Sequence, residues 1–163
     1  GMANGLPAAN CMTTPEVAAS LPERGMTIST FGGSPLPMAA AKATVEVIDT
    51  EDVVMRTQRL GEFVSGRLLE IQERFPENAG DVRGMGLMQA LELVVDETRG
   101  DRTPETALTG RVFEEAKKRG VLLGKGGLFG NVFRLAPPML ISQEDLEHGL
   151  DVLEESLAAA GAR

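Results

Sequence analysis

Tryptophan and tyrosine are absent, and six phenylalanines bring the aromatic content to only 4%. A core must therefore be aliphatic, with alanine and methionine filling in, and the 42% apolar content is enough to build one. A single cysteine, Cys11, excludes an intrachain disulfide framework and suits a reducing cytoplasm. With no basic neighbour, it reads as a small buried residue. The lone histidine, His148, lies on a polar helical pattern, which rules out a histidine-based metal cluster and places it at the surface. We expect no metal. Lysine and arginine number 16 against 24 acids, a net charge of −8, which argues against a nucleic-acid partner. The one basic run, Lys117-Lys118-Arg119, sits where a helix C-terminus favours cations. No apolar run reaches transmembrane length, and neither a signal-peptide pattern nor an internal repeat is visible.

The 163 residues suit one domain, or a small domain with part of another. The opening is rich in glycine and asparagine and reads as if the chain starts mid-domain. Residues 8–13 form a short, mostly apolar run that reads as a buried strand. Thr14, Pro15 and Glu16 resemble a helix start, giving a short helix over 15–21 that stops before Pro22. A helix over 35–49 carries Met38, Ala41, Val45 and Ile48 on one face. A second, over 50–74, has Leu60, Phe63, Val64, Leu68, Ile71 and Phe75 as its stripe. Arg56, Arg59, Glu62, Arg67, Glu70 and Glu73 are expected to face water. The period then becomes two. Residues 81–95 read as two strand pieces broken at Gly84-Met85-Gly86, with Leu87, Gln89, Leu91 and Leu93 on one face.

Residues 96–102 read as a charged turn, and Thr103-Pro104-Glu105 as a helix entry. That helix ends at a basic turn and Gly120. A strand is expected over 121–123, a glycine-rich loop over 124–130 and a strand over 131–135, stopped by Ala136-Pro137-Pro138. Residues 142–145 approximate a capping box for a last helix with Leu146, Leu150, Leu153 and Leu157 inward, fraying at Gly161. The order predicts an α/β chain whose second part is an α+β domain, with helices on one face of a small, mainly antiparallel sheet.

Two places suit anions. Over 27–37 the sequence is TISTFGGSPLP: Ser29 and Thr30, then Phe31 and the Gly32-Gly33 pair, then a helix start. Hydroxyls and flexible backbone ahead of a helix N-terminus suit an anion, and equally suit a plain loop with Ser34 as N-cap. Arg134 stands in the apolar run Val132-Phe133-Arg134-Leu135. Its planar guanidinium either takes a carboxylate in bidentate contact or faces water beside a surface acid. Lys125 in GKGG lacks the spacing of a phosphate loop, and Gly84-Met85-Gly86 lacks the third glycine of a dinucleotide fingerprint. Ser29 and Thr30 have no neighbouring base, which speaks against a nucleophile.

The ordered segments NGLPAANCMTTPEVA, STFGGSPLPMAAAKATVEVI, GDVRGMGLMQALEL, NVFRLAPPMLIS and EDLEHGLDVLEESL together resemble the C-terminal part of the class III aminotransferases. These are fold-type I enzymes that use pyridoxal 5′-phosphate (PLP), and acetylornithine, 4-aminobutyrate and alanine–glyoxylate aminotransferases are among them. The resemblance implies that residues 1–49 are the tail of a PLP-binding large domain with an interdomain helix, and 50–163 a C-terminal small domain. It implies that Ser29 and Thr30 reach the phosphate of a neighbouring subunit's PLP in a homodimer, and that Arg134 binds the substrate carboxylate. It implies transfer of an amino group between an amino acid or amine and a 2-oxo acid; no membrane partner is expected, since no apolar run is long enough to span one. The first of the segments leans toward the alanine–glyoxylate or β-alanine–pyruvate branch. Ser34 departs from the asparagine often found there. The family's Schiff-base lysine falls just before Gly1, and neither Lys42 nor Lys125 matches it. The chain alone is therefore expected to be inactive and to bind no PLP tightly; the alternative is a non-catalytic, self-associating interaction module or the remnant of a truncated gene.

Overall fold

The computed structural model describes residues 2–21, 25 and 28–163. Gly1, Pro22, Glu23, Arg24, Met26 and Thr27 lie outside the described residues, and with them the expected stop at Pro22 and the first residue of the TISTFGG stretch. The chain divides into two units, Gly1–Val53 and Val54–Arg163.

In the first unit, α1 is a single turn, Pro15–Ala18, whose N-cap Thr14 accepts from the Val17 amide at 3.5 Å. It is shorter than expected. The anticipated strand over 8–13 does not form; that segment has no regular secondary structure, and Cys11 is exposed rather than buried. With no strand to pair with among the described residues, an apolar hexapeptide leaves its amides to water. Helix α2 spans Pro35–Thr50, with proline inside its first turn where a missing N–H costs nothing. Ala41 is buried on its apolar face, while Met38 and Val45 remain 40% and 55% exposed.

The second unit holds the sheet. Helix α3, Val53–Arg74, begins after Asp52, a non-glycine residue with a φ of 50° that separates it from α2. Strands β1 (Ala79–Met85) and β2 (Met88–Asp96) form a hairpin turning at Gly86-Leu87. After a 3-10 turn at Glu97–Arg99 comes β3, Asp101–Pro104, antiparallel to β2. This strand falls where a turn was expected, because its composition is charged. Helix α4 is Thr106–Lys118, with Glu105 as N-cap accepting from the Leu108 amide. Edge strand β4 (Gly124–Gly126), β5 (Val132–Leu135) and α5 (Gln143–Ala159) complete it.

The sheet order is β1-β2-β5-β4, with β3 beside β2, and every pairing is antiparallel. Leu60, Val64, Leu68 and Ile71 from α3, Leu108 and Val112 from α4, and Leu146, Leu150, Leu153 and Leu157 from α5 pack on Leu91, Leu93 and Phe133 of the sheet. Helices thus cover one face, as the periodicities imply.

Two local corrections have physical causes. Residues 121–123 form no strand, because Val121 is taken up in ending α4. Its amide donates to the Ala116 carbonyl while that of Gly120, at φ 85°, donates to Lys117. The strand begins at Gly124 instead, where a β-carbon would lie 2.5 Å from the Arg134 carbonyl oxygen, so glycine permits the close approach. The chain end does not fray at Gly161. The Ala162 amide returns to Leu157, and the Arg163 carbonyl accepts from the Glu77 and Asn78 amides at 2.9 and 3.2 Å. Nor does Arg67 simply face water: it bonds Glu70, Asp151 and Glu154, tying α3 to α5 and holding its own proton more tightly than an ordinary arginine.

Helix α3 touches the β1–β2 turn backbone to backbone. A β-carbon at Gly61 would sit 2.4 Å from the Gly86 carbonyl carbon, whereas one at Gly66 meets nothing within 4 Å. Gly61→Ala is therefore expected to destabilise by about 3 kcal/mol, and Gly66→Ala to stabilise by about 0.5–1 kcal/mol through helix propensity. Urea unfolding of the two variants checks the opposite signs. At the end of α4, Lys118 and Arg119, each 2.6 Å away, pull the Glu115 carboxyl below the ordinary range. That stabilisation is complete above the unfolded-state pKa and disappears as pH falls through the lowered one. Melts of Glu115→Gln should thus differ from wild type at pH 7 and converge with it in strong acid.

Candidate functional site

Arg134 lies on β5, and register decides what surrounds it. Ala90 of β2 pairs with Arg83 of β1 on one side and with Arg134 on the other, and Arg134 pairs in turn with Gly124 of β4. Directly paired residues share a face, so Arg83, Ala90, Arg134 and Gly124 form one row on the face away from the core. Leu91 and Phe133, one step along, point into the core. The small Ala90 and Gly124 leave the space on either side of Arg134 unfilled.

The two arginines of the row differ in what they hold. Arg83 reaches Asp81 at 2.5 Å and Glu92 at 2.8 Å, and these carboxylates, Asp81 foremost, raise its pKa. Arg134 is exposed and has no side-chain hydrogen bond or ion pair among the described residues. The expectation of a neighbouring surface acid is therefore not met, which leaves the guanidinium fork open to a carboxylate. Lys125 belongs to the row of Phe133, on the opposite face from Arg134, and is exposed. His148 is exposed, as expected.

Beyond β5 the chain passes through Pro137-Pro138 to Ser142, which caps α5: its hydroxyl accepts from the Asp145 amide at 3.0 Å and donates to the Asp145 carboxylate at 2.7 Å. This connecting segment borders a cleft of about 530 Å³, lined on one side by residues 120–124 and on the other by Arg134, the proline pair, Ile141 and the first turns of α5.

Arg56 belongs to this arrangement and was assigned to water by the sequence pattern. Its Nη2 donates to the Ile141 carbonyl at 2.7 Å, and its Nε is buried without a partner. The signal was available: Arg56 precedes Leu60 by four residues, on the same side of α3 as the apolar stripe. Asn131 was missed as well. It is buried, and its side-chain amide donates to the Leu93 carbonyl at 2.8 Å, joining the entry of β5 to β2.

In the first unit, Ser29 and Thr30 are exposed, and neither hydroxyl has a partner among the described residues. The turn behind them is tight. The Ser34 amide donates to the Phe31 carbonyl at 3.2 Å, and Gly33 has a φ of 72°. A β-carbon at residue 32 would stand 2.9 Å from the Ser29 hydroxyl oxygen, so Gly32 leaves room for that side chain. Ser34 is the N-cap of α2 by position but makes no side-chain capping bond. Two unengaged hydroxyls and an uncapped helix end fit a phosphate. Lys42 lies within α2, exposed and 3.7 Å from Glu46.

Residues 1–157 match the family model for class-III aminotransferases. The chain is 38% identical over 158 residues to alanine–glyoxylate aminotransferase 2 homolog 2 of Arabidopsis thaliana, covering 97% of this chain and 32% of that protein. It is 39% identical over 157 residues to 4-aminobutyrate aminotransferase of Mycobacterium leprae, covering 96% and 34%. Among solved structures, a phospholyase from Arthrobacter in complex with phosphoethanolamine superposes with a TM-score of 0.81 at 34% identity, over 90% of this chain and 34% of that one. The chain belongs to the class-III aminotransferase family, and it spans about a third of the length of these relatives. Among the described residues no helix is long and apolar enough to cross a membrane.

Arg56→Met removes the bond to Ile141 and should loosen the segment that leaves β5. Hydrogen exchange of the Ile141 amide, which donates to the Pro138 carbonyl, is expected to accelerate, with Leu68 and Leu150 in the core unchanged.

Proposed function

We propose that Arg134 binds the carboxylate of an amino acid or 2-oxo acid in a PLP-dependent amino-group transfer. The observation that carries this is a guanidinium without a partner among the described residues, on an otherwise apolar strand, in a chain of the aminotransferase family. Ser29 and Thr30 would hold the cofactor's phosphate, that of a neighbouring subunit in a homodimer, with Gly32 keeping the Ser29 hydroxyl free. When bound, PLP acts as the electron sink that lets the substrate's α-carbon release its proton. This chain's own residues contribute orientation: a bidentate arginine fixes the carboxylate, and the Arg56 bond to Ile141 steadies the segment after it. In this reading residues 1–49 are the tail of the large cofactor-binding domain, residues 50–163 are the small domain, and the single cysteine suits the cytoplasm.

The polypeptide of residues 1–163 is proposed to be inactive by itself, since none of its lysines takes the anchoring position. Incubating it with PLP, reducing with borohydride and mapping modified lysines by mass spectrometry should give no stoichiometric adduct at one position and no amino transfer. A single modified lysine accompanied by turnover would overturn this. A second reading, a non-catalytic self-associating module, is favoured by the apolar side chains exposed in the first unit, with Phe31 83% and Leu36 69% exposed. Sedimentation of a concentration-independent monomer counts against it.

A further inference from the structure

We propose that Asn4-Gly5 is a site of spontaneous covalent modification, at which Asn4 loses its side-chain amide through a cyclic imide formed with the Gly5 nitrogen. The geometry of the turn carries the argument. Residues 3–6 form a reverse turn, closed by the Leu6 amide, which donates to the Ala3 carbonyl at 3.2 Å. Asn4 and Gly5 are its two central residues, with φ of 45° and 107°. Positive φ at both centres marks a type I′ turn, which favours Asn-Gly. Ala3 is buried and anchors the turn, while Asn4 and Gly5 are exposed.

The closing bond uses the Leu6 amide and leaves the reactive groups free. Neither the Gly5 N–H nor the Asn4 side chain has a hydrogen-bond partner among the described residues. Glycine carries no β-carbon to shield its nitrogen, and one built at Gly5 would meet nothing within 4 Å. The Gly5 nitrogen gives up its proton and bonds to the Asn4 side-chain carbonyl carbon. The bond from that carbon to Nδ2 breaks, and ammonia leaves with the proton. Water then opens the imide, at the side-chain carbonyl to give an aspartate at position 4, or at the main-chain carbonyl to give an isoaspartate. No oxidant or enzyme is required. The isoaspartate adds a main-chain carbon between positions 4 and 5, which breaks the geometry of the Leu6 to Ala3 bond. Either product adds a carboxylate to a chain of net charge −8.

The other three asparagines are held apart from this chemistry. Asn78 donates to the Val94 and Val95 carbonyls and accepts from the Arg163 amide, so its side chain is engaged at both ends. Asn131 is buried and donates to the Leu93 carbonyl at 2.8 Å. Asn10 is exposed, but its amide lies 3.5 Å from the Met2 sulfur. The residues that follow these three are Ala79, Val132 and Cys11, each with a β-carbon beside the attacking nitrogen. The selection is thus one of turn geometry and steric access together.

The test is to incubate the full 163-residue chain in ¹⁸O-labelled water, in mildly alkaline and in mildly acidic buffer, and to follow it by anion exchange and peptide mass mapping. A more acidic species is expected to accumulate, faster in alkali because the attacking nitrogen must lose its proton. Its labelled oxygen should map to position 4, with isoaspartate and aspartate both present and the amides of Asn10, Asn78 and Asn131 retained. Asn4→Gln, which would need a larger and slower-forming ring, should lose the acidic species. In the isolated isoaspartyl form, hydrogen exchange of the Leu6 amide should accelerate while Leu68 and Leu150 in the core are unchanged. An Asn4 that keeps its amide throughout overturns the proposal, as does modification spread evenly over the four asparagines or an acidic species that persists in Asn4→Gln. Unchanged exchange at Leu6 overturns the opening of the turn.

Discussion

The antiparallel register between β2 and β5 is the constraint on which the second unit depends. Pairing Leu91 with Phe133 and Ala90 with Arg134 sends the largest apolar side chains of both strands to the helices and the arginine to the opposite face. A slip of one residue would bury a guanidinium among leucines and expose Phe133, a reversal that the core could not absorb. The register is held at the β5 entry by Asn131, whose side-chain amide and backbone carbonyl both bond Leu93. A buried asparagine satisfied by backbone on the adjacent strand fixes alignment more strictly than packing of leucines, which tolerate sliding.

Around that register the helices are placed by few, specific contacts. Arg67 gathers three carboxylates from α3 and α5, and Arg74 adds a second bond to Glu154. Arg56 reaches in the other direction, to the segment beyond β5. One helix thus sends two arginines to α5 and a third to the connection that precedes it. The course of the segment after β5 therefore follows from α3 as much as from the sheet. The chemistry at Arg134 is a matter of what is withheld: its neighbours in the row are an alanine, a glycine and an arginine already satisfied by two acids.

Much of this was legible in the sequence where periodicity is strong. The stripe of α3, the alternation of β2 and the leucines of α5 translate directly into the core. Arg134 was legible as an anomaly, a charge inside an apolar run, although its lack of a partner among the described residues was not. Local chemistry misled where a tertiary contact decides. β3 reads as a charged turn because an edge strand against β2 needs no apolar alternation. Glycine-rich β4 reads as loop because the closeness of Gly124 to Arg134 leaves no trace in composition. Arg56 reads as a solvated charge because its partner, the Ile141 carbonyl, lies 85 residues away in sequence. In the first unit, residues 8–13 have the composition of a strand and no partner to pair with among the described residues.

The contact between Gly61 and Gly86 has a mechanical side. Where side chains lie between two elements, rotamer changes take up small displacements; here backbone meets backbone with no such cushion. The Gln89 side chain also ties the turn to its own strand through the Gly86 carbonyl. A tilt of α3 is therefore passed to the tip of the β1–β2 hairpin without being damped, and helix and hairpin turn together as the arms of one lever.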